Sequence, residues 1–184
     1  LSAQDAKETF ADQAMVSARL SRHEYDAALQ AVEAMVKKDT SNANAMELQG
    51  RVHLFRKDHV AARAAFDQAL KLDPAMFAAT ANLAALDVLE KKPDQAQRRL
   101  EASIKAEPRN HTAYLALAQL RGKEGASMDE VKRILAEAIK VAPSEASPRL
   151  QLIDLLLRKR QYKDALVAAQ EALAALPGDL NVLD

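Results

Sequence analysis

The phrase "FDQALKLDP" at residues 66–74 recurs three times further along the chain, each time with the same closing proline. The later versions are "LEASIKAEP" at 100–108, "LAEAIKVAP" at 135–143 and "AQEALAALP" at 169–177. Their prolines follow one another at intervals of 34, 35 and 34 residues. Proline ends a helix because it has no N–H and its ring clashes with the preceding turn. The spacing therefore indicates an internal repeat with equivalent helix ends.

Each phrase belongs to the second of two helices. In the clearest unit, an apolar face at helical spacing is formed by Ala62, Phe66, Ala69 and Leu70. The stretch "AMELQGRVHLF" precedes this helix, and the polar turn "RKD" separates the two. The same two-part pattern surrounds the other phrases, so the sequence predicts a series of helix–turn–helix units.

Local signals support these boundaries. Ser127 and Glu130 match the S-x-x-E capping box, in which each side chain binds the other residue's backbone N–H. Pro93 can open a helix, and Ser147 is a candidate N-cap. We expect the extra residue of the 35-residue unit to lie in the turn 122–125.

Composition limits the class of protein. The chain has 184 residues, of which 49% are hydrophobic and 28% charged, as in soluble folded proteins. Basic and acidic residues number 26 each, so the basic excess of a nucleic-acid-binding protein is missing. There is no cysteine, which excludes disulfides and cysteine-ligated zinc. Because the chain begins at Leu1 without methionine, we expect it to be a fragment of a larger protein.

The 34-residue pattern resembles the tetratricopeptide (TPR) repeat family, whose motif has small residues at positions 8, 20 and 27 and proline at position 32. The best-matching unit carries these residues, with an aromatic residue at position 24: Gly50, Ala62, Phe66, Ala69 and Pro74. The resemblance implies an all-α fold, a right-handed superhelical array of about five hairpins in a single domain. The predicted units are 9–42, 43–76, 77–110, 111–145 and 146–179, and 180–184 begins a further helix.

The aromatic residues are expected to be structural. Tyr25 and Tyr162 both occupy motif position 17, and Phe66 occupies position 24. We therefore predict that all three lie in the core.

A narrower resemblance concerns the Ala- and Leu-rich phrases "LQGRVHLFRKDHVAARAAFDQALKLDP" and "AYLALAQL". They are similar to phrases in the long TPR lipoproteins of bacterial PEP-CTERM/exosortase systems. This resemblance implies a cell-envelope scaffold associated with exopolysaccharide export or PEP-CTERM protein sorting. It also implies an envelope or periplasmic location, and a cytoplasmic location is expected otherwise.

In TPR proteins the first helix of each hairpin lines a concave groove, so motif positions 5, 6, 9, 12 and 13 are the candidate binding positions. The predicted partner-binding residues are Gln13, Ser17, Glu47, Arg51, Phe55, Asn82, Ala85, Leu89, Leu115, Gln119, Gln151, Asp154 and Arg158. Leu20 and Leu48 fall on the same strip. We predict that the groove binds a partner peptide or helix through one or two apolar anchors. The alternative is that Ala85, Leu89 and Leu115 only pack between hairpins.

The sequence favours a non-enzymatic scaffold. It has no P-loop, no G-x-G-x-x-G and no G-x-S-x-G motif. The histidines are not spaced as metal ligands, so no metal and no cofactor are expected: His23, His53, His59 and His111. A carboxylate such as Asp87 can act as an acid or base only where a pocket shifts its pKa.

Three expectations concern partners. No apolar run approaches the roughly 20 residues that span a bilayer. Basic clusters at the ends of first helices offset the helix dipole, although a polyanion-binding role stays open: Arg56–Lys57, Lys91–Lys92 and Arg158–Arg160. We also predict self-association through the array ends, because the apolar residues of the last segment have no hairpin partner in this chain: Leu180, Val182 and Leu183.

Overall fold

The structure is a computed structural model that describes residues 3–179, with side chains from residue 11 onward. Its described part contains ten α-helices and no strand. The helices are α1 (Ala3–Ser21), α2 (Tyr25–Lys38), α3 (Ala43–Phe55), α4 (His59–Leu72), α5 (Phe77–Leu89), α6 (Pro93–Ala106), α7 (His111–Lys123), α8 (Met128–Val141), α9 (Ser147–Arg158) and α10 (Tyr162–Ala175). The predicted all-α array of helical hairpins is confirmed.

The chain divides into two compact units. The first unit, Leu1–Lys92, holds α1 to α5, and the second, Pro93–Asp184, holds α6 to α10. Within each unit every helix packs against its neighbours along the chain, as expected for repeats that bury their apolar faces by stacking.

The hairpin turns share one geometry. After each first helix, the second residue of the turn has a positive φ, and these residues are His23, Lys57, Lys91, Gly125 and Arg160. The residue that follows each of them donates its N–H to a carbonyl five positions earlier, as Asp58 does to His53 at 2.9 Å. This is the Schellman arrangement that closes a helix C-terminus.

The turn between α7 and α8 contains one more residue than the others. It runs over 124–127, whereas the turn between α3 and α4 covers only 56–58. The extra residue therefore lies in the turn between the two helices of this hairpin, as predicted, but the predicted bounds 122–125 were two residues too early, because 122 and 123 still belong to α7.

The capping predictions are only partly correct. Ser127 accepts the N–H of Glu130 at 3.2 Å, and α6 begins at Pro93, as predicted. The Glu130 carboxylate, however, accepts a hydrogen bond from Arg121 at 2.6 Å instead of completing the capping box. Ser147 is the first residue inside α9, and the N-cap is Ala146, so this prediction was wrong by one position.

Small residues allow the helices of a hairpin to approach closely. Ala62 and Ala69 are fully buried on α4, beside the fully buried ring of Phe66. Gly50 of α3 faces this ring, and a Cβ built there would lie 2.5 Å from Phe66 Cε1. The close contact between α3 and α4 therefore depends on the absence of a side chain at position 50.

The prediction of three core aromatic residues holds for Phe66 and fails for Tyr162. Tyr25 is partly buried because its ring stacks on Phe55 of the next hairpin, with 5.9 Å between ring centroids. Tyr162 stands at the equivalent position of the last hairpin and is 63% exposed. No later first helix lies within residues 3–179 to stack on it.

Candidate partner-binding site

The predicted binding residues fall into two groups, one in each compact unit. The first group lies on α1, α3 and α5 and comprises Gln13, Ser17, Glu47, Arg51, Phe55, Asn82, Ala85 and Leu89. The second group lies on α7 and α9 and comprises Leu115, Gln119, Gln151, Asp154 and Arg158.

In the first group, a hydrogen bond joins two successive first helices. Asn82 on α5 donates its amide N–H to Oε1 of Glu47 on α3 at 3.0 Å. Arg51 lies one helical turn further along α3, with its guanidinium 3.9 Å from Glu47 Oε2. Burial raises the pKa of Glu47, and Arg51 and Asn82 oppose that shift by stabilising the ionised form.

The apolar members of this group differ in exposure. Leu89 is 59% exposed, Phe55 is 50% exposed, and Ala85 is also exposed. Leu20 and Leu48, which the sequence placed on the same strip, are instead buried in the core formed by α1, α2 and α3. These two leucines therefore pack between helices, while Phe55 and Leu89 keep much of their surface in solvent.

In the second group, all five predicted residues line one pocket. It has a volume of about 580 Å³ and lies between α7, α8 and α9. Its apolar floor comes from α8, through Val131 and the fully buried Leu135, with Leu155 of α9 beside them. The pocket therefore combines an apolar interior with a polar edge, the usual composition of a ligand site.

Polar contacts fix part of the edge of this pocket. Gln151 donates its amide N–H to the backbone oxygen of Leu115 at 3.2 Å. Arg158 donates through Nε to the carboxylate of Asp154, at 3.0 Å from Oδ1 and 2.8 Å from Oδ2. The Gln151 bond repeats the Asn82–Glu47 bond of the first unit, because in both cases motif position 6 bonds to position 5 of the previous hairpin.

Sequence reasoning missed several lining residues. Gly122 and Lys123 lie at motif positions 12 and 13 of the fourth repeat, 111–145. The choice of motif positions 12 and 13 as binding positions could therefore have identified them. Lys159 lies just beyond the end of α9. Val131 and Leu135 belong to a second helix, whereas the prediction considered only first helices.

Several charged side chains that are buried or partly buried form hydrogen-bonded ion pairs between helices. Asp87 on α5 is fully buried and accepts a hydrogen bond from Arg63 on α4 at 2.8 Å. Arg63 also bonds Glu90 at 3.0 Å. Burial alone lowers the pKa of Arg63, but these two carboxylates outweigh it and raise the pKa.

Arg121 has the corresponding role in the second unit. It bonds Glu130 at 2.6 Å, Glu124 at 2.8 Å and the side-chain oxygen of Gln97 at 3.3 Å. The hydrogen bond from Arg121 lowers the pKa of Glu130. These contacts join α6, α7 and α8.

The histidines are dispersed over both compact units, with His23, His53 and His59 in the first and His111 in the second. His23 bonds the hydroxyl of Tyr25 through Nδ1 at 2.6 Å, and His53 Nδ1 lies 4.0 Å from Asp58 Oδ2. Within the described residues, no group of three or more His, Asp or Glu side chains is arranged to hold a metal ion. Nor is any helix in that part of the chain long and apolar enough to span a membrane.

Comparisons with known proteins agree with this geometry. Two family models described as tetratricopeptide repeat match residues 14–77 and 53–120, and together they cover more than half of the chain. The chain belongs to the tetratricopeptide-repeat family, whose members generally act as protein-interaction scaffolds. No curated protein sequence matches the chain.

Solved structures support the fold. A thermophilic TPR protein of Thermus thermophilus is 19% identical, with 94% of each chain covered and a TM-score of 0.68. PilF of Pseudomonas aeruginosa is 17% identical, with 94% of this chain and 78% of that chain covered and a TM-score of 0.67. YrrB, described as a TPR protein with an unusual peptide-binding site, is 19% identical over 94% and 88% of the two chains, with a TM-score of 0.55. At these identities the likeness concerns the fold alone.

Proposed function

We propose that this chain is a non-enzymatic scaffold that binds an extended segment of a partner protein, with an apolar side chain anchored in the pocket between α7, α8 and α9. The observation that carries the proposal is that all five predicted residues of α7 and α9 line that one pocket. A volume of about 580 Å³ is within the range of ligand pockets and is large enough for an aliphatic or aromatic side chain.

The edge of the pocket supports a peptide as the ligand. Gln119 is exposed on α7, and Gln151 on α9 uses one amide N–H for its bond to Leu115. Each glutamine side chain has both donors and an acceptor, so the remaining groups match the N–H and C=O groups of an extended backbone. The apolar floor then contributes affinity and the amides fix the direction of the peptide.

Gly122 provides a direct test. It lines the pocket near the end of α7, and a Cβ built there meets no atom within 4 Å. Gly122→Phe should therefore fill the pocket and leave the fold intact, with a modest gain in helix propensity. Ala136→Phe is the matched control, since Ala136 is exposed on α8 and does not line the pocket.

The experiment selects binders from a displayed library of random peptides and measures their affinities by fluorescence anisotropy. We expect peptides whose binding is at least tenfold weaker to Gly122→Phe and unchanged for Ala136→Phe. Peptides that bind all three proteins equally, or the absence of any enriched peptide, would refute the pocket as the binding site.

A charge-reversed variant tests both groups of predicted residues together. It combines Glu47→Lys, Arg51→Glu and Asp154→Lys, and it should capture fewer partner proteins than the unaltered chain. Glu47 is bonded to Asn82, so circular dichroism must first show that the variant keeps its helices. Unchanged capture by a folded variant would leave these three charges without a binding role.

Self-association is a second candidate, favoured by the exposed face of α10. Tyr162 is 63% exposed, Leu166 is 61% exposed, and Leu173 lies on the same face and is also exposed. Leu180, Val182 and Leu183, on which the sequence prediction rested, lie outside the described residues. Light scattering should show a mass that rises with concentration, and Leu166→Glu should abolish the rise. A constant monomer mass for the unaltered chain would reject this candidate.

A cell-envelope scaffold linked to exopolysaccharide export or PEP-CTERM sorting stays a prediction. The matching family models and structures support the TPR family and do not support the narrower lipoprotein resemblance.

A further inference from the structure

The pocket between α7, α8 and α9, called the α7–α9 pocket below, has an excess of positive charge at its edge. Its lining includes three cationic residues, Lys123, Arg158 and Lys159, and one carboxylate, Asp154. Both oxygens of that carboxylate lie within 3.0 Å of Arg158 Nε, so Asp154 is already neutralised by Arg158. Two net positive charges remain, on the two lysines.

The lysines are available to a ligand. Lys123 and Lys159 are exposed, and neither forms an ion pair with another residue in the described part of the chain. They come from different helices, Lys123 as the last residue of α7 and Lys159 as the C-cap of α9. Because both lysines line the pocket and are exposed, both can bind groups that flank an anchored side chain.

Helix electrostatics give these lysines another possible role. A cation at a helix C-terminus offsets the macrodipole and the unpaired carbonyl groups. Lys105 has that position in α6, where it is exposed and does not line the α7–α9 pocket. Lys105 is therefore a matched control, because charge reversal there changes the helix terminus and leaves the pocket unchanged.

We infer that the preferred partner is an acidic peptide segment in which one apolar side chain is flanked on both sides by Asp or Glu. This inference rests on the proposed function, because it specifies the ligand of the same pocket. The apolar side chain occupies the space above Val131 and Leu135, and the flanking carboxylates contact Lys123 and Lys159. Charge complementarity of this kind increases the association rate and selects against basic segments.

The test begins with the composition of the peptides selected from the random library. Acidic residues should be enriched on both sides of a Leu, Ile, Met or Phe. Synthetic versions of one selected peptide, with its Asp and Glu residues either kept or changed to Asn and Gln, are then titrated against three proteins. These are the unaltered chain, Lys123→Glu combined with Lys159→Glu, and Lys105→Glu.

We expect the double lysine variant to bind the acidic peptide at least tenfold more weakly in about 50 mM salt, and the difference to shrink at about 500 mM because salt screens exposed charges. Lys105→Glu should bind like the unaltered chain. The neutral peptide should lose affinity for the unaltered chain and should be insensitive to the lysine changes.

The outcomes separate the two proposals. If selected peptides bind the pocket and are blocked by Gly122→Phe but show no acidic preference, the proposed function stands and the acidic partner is wrong. If Lys105→Glu weakens binding as much as the double lysine variant, the effect belongs to helix termini and the inference is again wrong. If no peptide depends on Gly122, the proposed function itself fails.

Discussion

The substitution of alanine for glycine should have opposite effects at two helical positions of this chain. Gly50 lies in α3 and Gly122 in α7. A Cβ at Gly50 would lie 2.5, 2.6 and 2.8 Å from three ring atoms of Phe66, whereas a Cβ at Gly122 would meet nothing within 4 Å. The intrinsic preference for alanine over glycine in a helix is the same in both cases, about 1 kcal/mol.

The magnitude follows from the contact at Phe66. Carbon atoms pack best at about 3.5–4.0 Å, so the ring must move by about 1 Å to accept the new methyl group. Phe66 is fully buried among Ala62, Ala69 and Leu83, which leaves it no open space. Overpacking of this kind costs about 1–3 kcal/mol. The unfolding free energy of Gly50→Ala should therefore lie about 1–3 kcal/mol below that of Gly122→Ala, because the helix-propensity gain cancels in the comparison.

Urea denaturation followed by circular dichroism measures the total effect. Amide hydrogen exchange in α3 and α4 locates it, since repeat proteins open by parts. In a Phe66→Leu background the penalty of Gly50→Ala should shrink by at least about 1 kcal/mol, because contacting residues are coupled. Equal stability of the two alanine variants, or a penalty unchanged by Phe66→Leu, would show that the ring contact does not limit this hairpin.

Three further outcomes are expected. Lys57→Gly should raise the unfolding free energy by about 0.5–1 kcal/mol in urea denaturation, because Lys57 has a φ of 62° and glycine adopts that conformation without a Cβ clash. Arg63→Met should lower it by about 1.5–3 kcal/mol in the same assay, since the charged hydrogen bond to the buried Asp87 is lost. Glu130→Gln should flatten the acid dependence of stability. Arg121 lowers the pKa of Glu130 below its usual 4.5, so the stabilising contribution of Glu130 is present above 4.5 and is lost as pH falls through its folded-state pKa. Urea midpoints measured from about pH 6 to about pH 2 should then fall less in the variant than in the unaltered chain.

The sequence predicted the helices well because their signals are local. Regular prolines, an apolar spacing of one helical face and polar turns are all visible within about 34 residues. The left-handed turn residues were not predictable from composition, because four of the five positions hold His, Lys or Arg instead of glycine. Only the repeat register, which aligns His23, Lys57 and Lys91 with Gly125, contains that information.

The candidate site was only half visible in the sequence. Motif positions identified the first-helix walls of the α7–α9 pocket, including Gln119 and Asp154. The floor needed the structure, because Val131 and Leu135 reach the pocket from a second helix across the interior of the hairpin. The exposure of individual side chains could also be read only from the structure, since Leu48 and Leu89 lie on one predicted strip and only Leu48 is buried.

The polar ties between hairpins distinguish repeats that are otherwise alike in fold. Arg63 bonds Asp87 in the first unit, and Gln97 bonds Arg121 in the second, with 24 residues between the partners in both cases. The two pairs occupy equivalent repeat positions, but they differ in where the arginine lies. In the first pair the arginine is on the second helix of a hairpin, and in the second pair it is on the first helix of the next hairpin. If α4 packed against α7 instead of α5, Arg63 would lose the buried carboxylate of Asp87 and would face the guanidinium of Arg121 at the equivalent position. With similar apolar faces on every hairpin, these ties give the native order of packing an electrostatic advantage that the repeating alanines and leucines alone do not provide.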